Sequence, residues 1–199
     1  VGIIVGYDPV TLREIVDEDA LNQRLDELGV QRSSTALNEK VGLLRLSGRL
    51  DEAWDVANEA VRQARFGGDR ERLALARVRR AQVQQFQGRL DAALAELSDC
   101  VHEAHTHNWA NAEAFALQHR GKVHFDLGEL DAALRDFRDA LTIRVRIKAS
   151  ADQIDSSMIA IAIVESMRDG SDEVPTAESI RAAAESEAAA GRPAELDMD

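Results

Sequence analysis

A six-residue segment, Gly-Arg-Leu-Asp-Glu-Ala at Gly48–Ala53, returns as Gly-Arg-Leu-Asp-Ala-Ala at Gly88–Ala93 and as Gly-Glu-Leu-Asp-Ala-Ala at Gly128–Ala133. The interval is 40 residues both times. Recurrence at a fixed period of this size marks a chain built by stacking one supersecondary unit on the next. Such an array presents an extended surface, which suits a polypeptide partner better than it suits chemistry in a deep pocket.

Aligned on the glycine, the copies read as helix, turn, helix. Leu37–Ser47, Arg77–Gln87 and Leu117–Leu127 lack proline and hold mostly good helix formers. Gly48, Gly88 and Gly128 are placed to stop these helices in the left-handed conformation. Asp51, Asp91 and Asp131 are expected to cap the second helix of each unit, against the positive end of its dipole. That helix carries an apolar stripe at offsets of three and four. Its members are Ala53, Ala93 and Ala133; Trp54, Leu94 and Leu134; Ala57, Leu97 and Phe137; Ala60, Cys100 and Ala140; and Val61, Val101 and Leu141. All read as core.

These residues resemble the tetratricopeptide repeat, in the turn glycine, the paired small residues and the small residue of the first helix at Val41, Ala81 and Gly121. Arg120-Gly121 is similar to the Arg-Gly form often found there. The period exceeds the family's usual 34, no proline closes each unit, and Leu44, Gln84 and His124 stand where an aromatic is usual. The longer repeat, with Gly68-Asp69 between units, resembles the extended-helix branch found in bacterial regulators and motor light chains. The expected fold is all-α, an α-solenoid of stacked antiparallel helix hairpins with the right-handed superhelix the resemblance implies.

Three segments are expected. Residues 1–31 form an acidic N-terminal capping region, helical over 8–28 on the spacing of Leu12, Ile15, Val16, Leu21, Leu25 and Leu28, and covering the open face of the first repeat. Residues 32–169 form the array, three full repeats and a partial fourth in which Ile154, Met158, Ile161 and Val164 bury the helix Ala151–Met167. Residues 170–199 form an acidic Ala/Glu-rich helix over Pro175–Ala190 and a disordered tail. The net charge is −12, and its distribution matters. Residues 1–31 hold seven acids against two bases and residues 170–199 eight against two, so 21 acids and 20 bases remain between them. The array is nearly neutral, and this balance disfavours nucleic acid as a partner. No apolar run is long enough to span a membrane, and Val1–Val5 is too short for a signal peptide, so the reading is cytoplasmic.

Histidines at 102, 105 and 107 follow Cys100 closely. A metal site needs three or four converging ligands, and the register turns Cys100 inward while His105 and His107 fall in a turn. No phosphate loop, zinc-binding His-Glu-x-x-His or nucleophile elbow occurs. Neither catalysis nor a cofactor is expected.

In an array of this type the first helices line the concave side. Their free faces present Asn38 and Arg45, then Arg79, Gln82 and Phe86, then Phe115, Gln118, His119, Lys122 and Phe125. Aromatics interleaved with bases suit an extended or helical peptide with apolar anchors and some negative charge. The carboxylate clamp of tetratricopeptide domains that bind chaperone C-termini is matched here only by Asn38 and Arg79, so the resemblance does not extend to that ligand. The expected function is an adaptor or scaffold that docks a partner protein in this groove. A regulator whose acidic tail folds back as an inhibitor is the alternative, a metal protein built on His102, His105 and His107 is a third, and a homodimer through the fourth-unit helix stays open.

Overall fold

The computed structural model describes residues 2–170. A short antiparallel pair, β1 (Ile4–Tyr7) and β2 (Glu14–Val16), precedes eight helices: α1 (Glu18–Leu28), α2 (Ser34–Leu46), α3 (Leu50–Gly67), α4 (Arg70–Phe86), α5 (Leu90–Thr106), α6 (Ala110–Asp126), α7 (Leu130–Arg146) and α8 (Ala151–Arg168). Each helix from α2 to α8 packs on the next, and α2 on α4 and α4 on α6 lie side by side. The chain is an all-α solenoid of consecutive helix hairpins, with the strands as an N-terminal addition.

The turns set the spacing. Gly48, Gly88 and Gly128 adopt φ of +74°, +75° and +78°. At Gly48 the N–H bonds the Arg45 carbonyl and the following Arg49 N–H reaches back to Leu44, and the same pair of bonds recurs at Gly88 and Gly128. This satisfies carbonyls that the helix end leaves free. The turns between units use the same conformation at Gly68, Asn108 and Lys148, so a left-handed residue stands every 20 residues. Asp51, Asp91 and Asp131 do not cap. The cap positions are Arg49, Arg89 and Glu129, without a side-chain bond. The glycine turn runs straight into Leu50, Leu90 and Leu130 as first helical residues, which places each aspartate inside the first turn, where only the helix dipole acts on it. Ser33 and Asp69 do cap, accepting from Ala36 and Arg72.

The stripe read from sequence is the core. Ala53, Ala57, Ala93, Leu97, Ala133, Phe137 and Ala140 are fully buried, and Trp54, Leu94, Val101 and Leu141 half-buried. At the Arg-Gly position Arg120 forms two 2.7 Å bonds to Asp136, and one period earlier Arg80 pairs with Glu96. In α8 the buried side is Ser157, Ala160, Ile163 and Val164, one position round from the expected face, while Ile154, Met158 and Ile161 are half-buried. Arg144 sets that register. Its Nη1 donates to Ser157 Oγ at 2.7 Å and to the Gln153 carbonyl at 2.6 Å, so a serine occupies the helix interface.

The helix expected over 8–28 begins only at Glu18. Asp8 Oδ1 accepts from the backbone of Val10 and Thr11 at 2.9 and 2.7 Å, closing a turn around Pro9, and β-branched Ile4, Val5, Ile15 and Val16 take extended backbone on either side. Only α1 acts as expected, burying Leu21 and Leu28 against Ala36 and Leu43. The C-terminal helix expected over Pro175–Ala190 and its tail lie outside the described residues.

Gly121 shows how closely the hairpins approach. A Cβ there would stand 2.7 Å from the Phe137 ring, whereas one on Gly42 would meet nothing within 4 Å. Gly121→Ala should therefore cost about 1–3 kcal/mol from overpacking, and Gly42→Ala should gain up to about 1 kcal/mol from helix propensity. Urea denaturation of the two variants checks both signs.

Candidate functional site

The face formed by α2, α4 and α6 is occupied by the hairpin of β1 and β2. Glu14, on β2, reaches two helices that flank α4. Its Oε2 accepts from Arg45 Nη1 of α2 at 3.2 Å, and its Oε1 from Lys122 Nζ of α6 at 2.8 Å. Glu14 thus ties α2 and α6 together across α4.

Contacts on either side extend the anchoring. Leu12 is 3% exposed and packs in a cluster with Phe125, Leu134, Phe137, Ile163 and Val164. It does so at φ +55°, a conformation leucine rarely adopts. Arg13 bonds Asp126 at 2.7 Å and lies 4.3 Å from the centre of the Phe86 ring, with Arg45 at 4.4 Å from the same ring. Tyr7 lies under Lys122 and beside Ser156. Ile3 and Val16 pack against the α1–α2 cluster. The strands approach the array through these side chains, and their close backbone contacts are with each other.

Of the residues proposed from sequence, Arg45, Phe86, Lys122 and Phe125 meet the hairpin directly. A second group lies further along the groove: Arg79 stacks over Phe115 at 5.0 Å, and Phe115 meets His119 edge-on at 4.7 Å. Asn38 Oδ1 and Gln82 Nε2 are buried without a protein partner among the described residues. Gln118 is committed elsewhere. Its Oε1 accepts from Ser157 Oγ at 2.6 Å and Arg144 Nη1 at 3.1 Å, tying α6 to α7 and α8. The sequence reading left these faces free, and the hairpin covers part of them. Sequence reasoning missed Tyr7, Leu12, Arg13 and Glu14, because Leu12, Ile15 and Val16 mimic helix spacing; the signal that could have found the hairpin was the Asp8-Pro9 turn between β-branched runs.

The electrostatics follow from burial. Burial pushes the Glu14 carboxyl up, but the Lys122 and Arg45 charges and the Lys122 hydrogen bond outweigh it and hold the group well below the usual carboxylate range. Burial, with Arg45 and Arg13 beside it, lowers Lys122 despite Glu14. His119 is driven well below its ordinary value by burial and then by Lys122 and Arg45, so it is neutral at pH 7. Burial alone lowers Arg79.

The histidines near Cys100 diverge. His105 pairs with Glu113 at 2.8 Å, His107 stacks on Trp109, and the His102 side chain is exposed. Cys100 is buried, its thiol pushed up to about 12 by desolvation. Among the described residues no three such ligands converge. A cleft of about 450 Å³ between α5, α6 and α7, lined by His105, Glu113, Arg120, Asp139 and Arg146, lies away from the hairpin. No described helix is long and apolar enough to cross a membrane.

Among solved structures the chain is similar to the crystal structure of BtubC (BKLC) from P. vanneervenii, with a TM-score of 0.56 and 18% identity over 92% of this chain and 79% of that one. At that identity the likeness shows the fold alone. No family model matches the sequence, and comparison with curated proteins gives no match.

A group whose folded pKa is depressed stabilises the fold above its unfolded value and loses that contribution as pH falls. Docking of the hairpin through Glu14, which faces Arg45, Lys122, Tyr7 and His119, should be constant near neutrality and weaken as pH drops below 4.5, its ordinary value. The ring resonances of Tyr7, the one tyrosine, report this by NMR, and Glu14→Gln should reduce the pH dependence to the part that the Asp8 carboxylate contributes in the turn.

Proposed function

We propose that this chain is a non-catalytic protein-interaction module of the tetratricopeptide-like kind, whose concave face binds an extended segment of a partner polypeptide. The observation that carries this reading is the occupied groove. The hairpin of β1 and β2 already lies on α2, α4 and α6 through an apolar anchor, two guanidiniums on one aromatic ring and a buried ion pair. These are ordinary means by which a groove holds a peptide.

The adaptor reading and the regulator reading share this surface. The inhibitory segment assigned from sequence was the acidic tail, residues 171–199, which lies outside the described residues. The N-terminal hairpin is the segment seated in the groove, which favours a module whose access is controlled in cis. A cytoplasmic setting, and a protein rather than nucleic-acid partner, belong to the same proposal.

Arg79 offers the cleanest test because it touches Phe115 rather than the hairpin. Affinity purification from the organism of origin with Arg79→Glu should lose a partner retained by the unaltered chain, with far-UV circular dichroism unchanged. An identical set of retained proteins would contradict the reading.

A further inference from the structure

The groove carries more positive charge than its occupant neutralises. Arg45 and Lys122 share the single carboxylate of Glu14. Arg79 has no acid partner among the described residues. Among the described residues Arg144, 4% exposed, donates to the neutral oxygens of Gln118, Gln153, Ser156 and Ser157 and has Tyr7 near it. The one acid of α6 that faces the hairpin, Asp126, is taken by Arg13 and Gln85. This cationic surplus sits in a chain of net charge −12.

Polar groups are left over as well. Asn38 Oδ1, Arg45 Nε and Gln82 Nε2 are buried without a partner among the described residues, although buried polar atoms are ordinarily bonded. The hairpin meanwhile holds Leu12 in its pocket only by adopting a left-handed backbone at φ +55°. Ile4, Val5, Val10 and Ile15 face outward at 45–67% exposed, so nothing in the array covers its other side. A two-stranded sheet is marginal alone. The occupant fits the site incompletely, and its attachment is local.

We propose that the hairpin is a displaceable occupant and that the ligand replacing it is an acidic segment of a partner polypeptide. That segment places an apolar side chain in the Leu12 pocket, a carboxylate two residues later between Arg45 and Lys122, and a further acid at Arg79. The order apolar, any residue, acid is copied from Leu12-Arg13-Glu14, and the added acid follows from the unpaired cation. Competition by the tethered hairpin makes the apparent affinity of the intact chain low, because an intramolecular segment acts at high effective concentration. The inference rests on the concave face being a polypeptide-binding surface.

The probe is a fluorescent acidic peptide of about twelve residues containing Leu-Ala-Glu, with a scrambled peptide of the same composition as control, titrated by anisotropy into the full chain. Leu12→Asp puts a charge in the apolar pocket and should release the hairpin. It should bind the Leu-Ala-Glu peptide at least about tenfold more tightly than the unaltered chain, and adding Arg79→Glu should reverse the gain. Equal binding of both peptides would overturn the ligand assignment and leave the function reading standing. Failure of either peptide to bind any variant with a freed hairpin would remove both. A gain from Glu185→Lys with Glu187→Lys, and none from Leu12→Asp, would assign the groove to the acidic C-terminal segment and overturn the proposal. Should Leu12→Asp fail to fold, hydrogen exchange of the unaltered chain decides. Saturating peptide should speed exchange at the amides of Asp8, Leu12 and Asp17, which bond within the hairpin, while α4 and α6 stay protected. Unchanged hairpin protection with peptide bound would refute displacement.

Discussion

A left-handed residue every 20 positions is the constraint on which the rest of this molecule depends. Four successive helices, α4 to α7, hold 17 residues each, and the three-residue turn between them is closed by the same two backbone bonds whether its left-handed residue is Gly88, Asn108 or Gly128. Equal helices with equal turns bring equivalent faces into register, so Ala53, Ala93 and Ala133 fall at the same close approach. At Gly121 of α6 the missing side chain makes room for the Phe137 ring of α7. Alternate helices then share a face, and the hairpin lies on the one that α2, α4 and α6 form.

What lies on it is held chiefly by charge in a partly dry place. Burial opposes ionisation of Glu14, Lys122 and Arg79 alike. Glu14 stays ionised because two cations from different helices converge on it, and those cations stay together because Glu14 separates their charges. Removing one member of such a cluster leaves another buried charge uncompensated. The groove therefore has a standing demand for a carboxylate at this point, and the N-terminal hairpin meets it. At Arg79 the same demand is unmet within the described chain. The two ends of the groove thus differ in satisfaction though they are alike in chemistry.

Much of this fold was legible because it is locally encoded. Gly48, Gly88 and Gly128 announce their turns, and the alanines of the second helices announce the interface beside them. Asn108 and Lys148 adopt the same backbone without a glycine to mark it, and the array's spacing supplies what the residue type conceals. The candidate groove was legible as a set of positions, since helix period alone brings Arg45, Arg79, Phe86 and Lys122 to one side. Its occupancy was not, because it depends on contacts such as Glu14 with Arg45 and with Lys122, which are 31 and 108 residues apart in sequence. The N-terminus misled for a physical reason. Leu12, Ile15 and Val16 fall at helix spacing, yet Pro9 and the bonded Asp8 carboxylate fix a turn that helix formation cannot survive.

The most direct test of the account is a distance from the hairpin to the array. Spin labels at Val10→Cys, on the outward side of the hairpin, and at Phe66→Cys, exposed at the end of α3, leave the buried Cys100 unlabelled. Pulsed electron resonance should give a single narrow distribution in the free chain. With a saturating acidic Leu-Ala-Glu peptide it should give a broad distribution shifted to longer distance. A narrow distribution that stays in place while the peptide is bound would mean that the hairpin is a fixed part of the wall and that the concave face is not the ligand's seat.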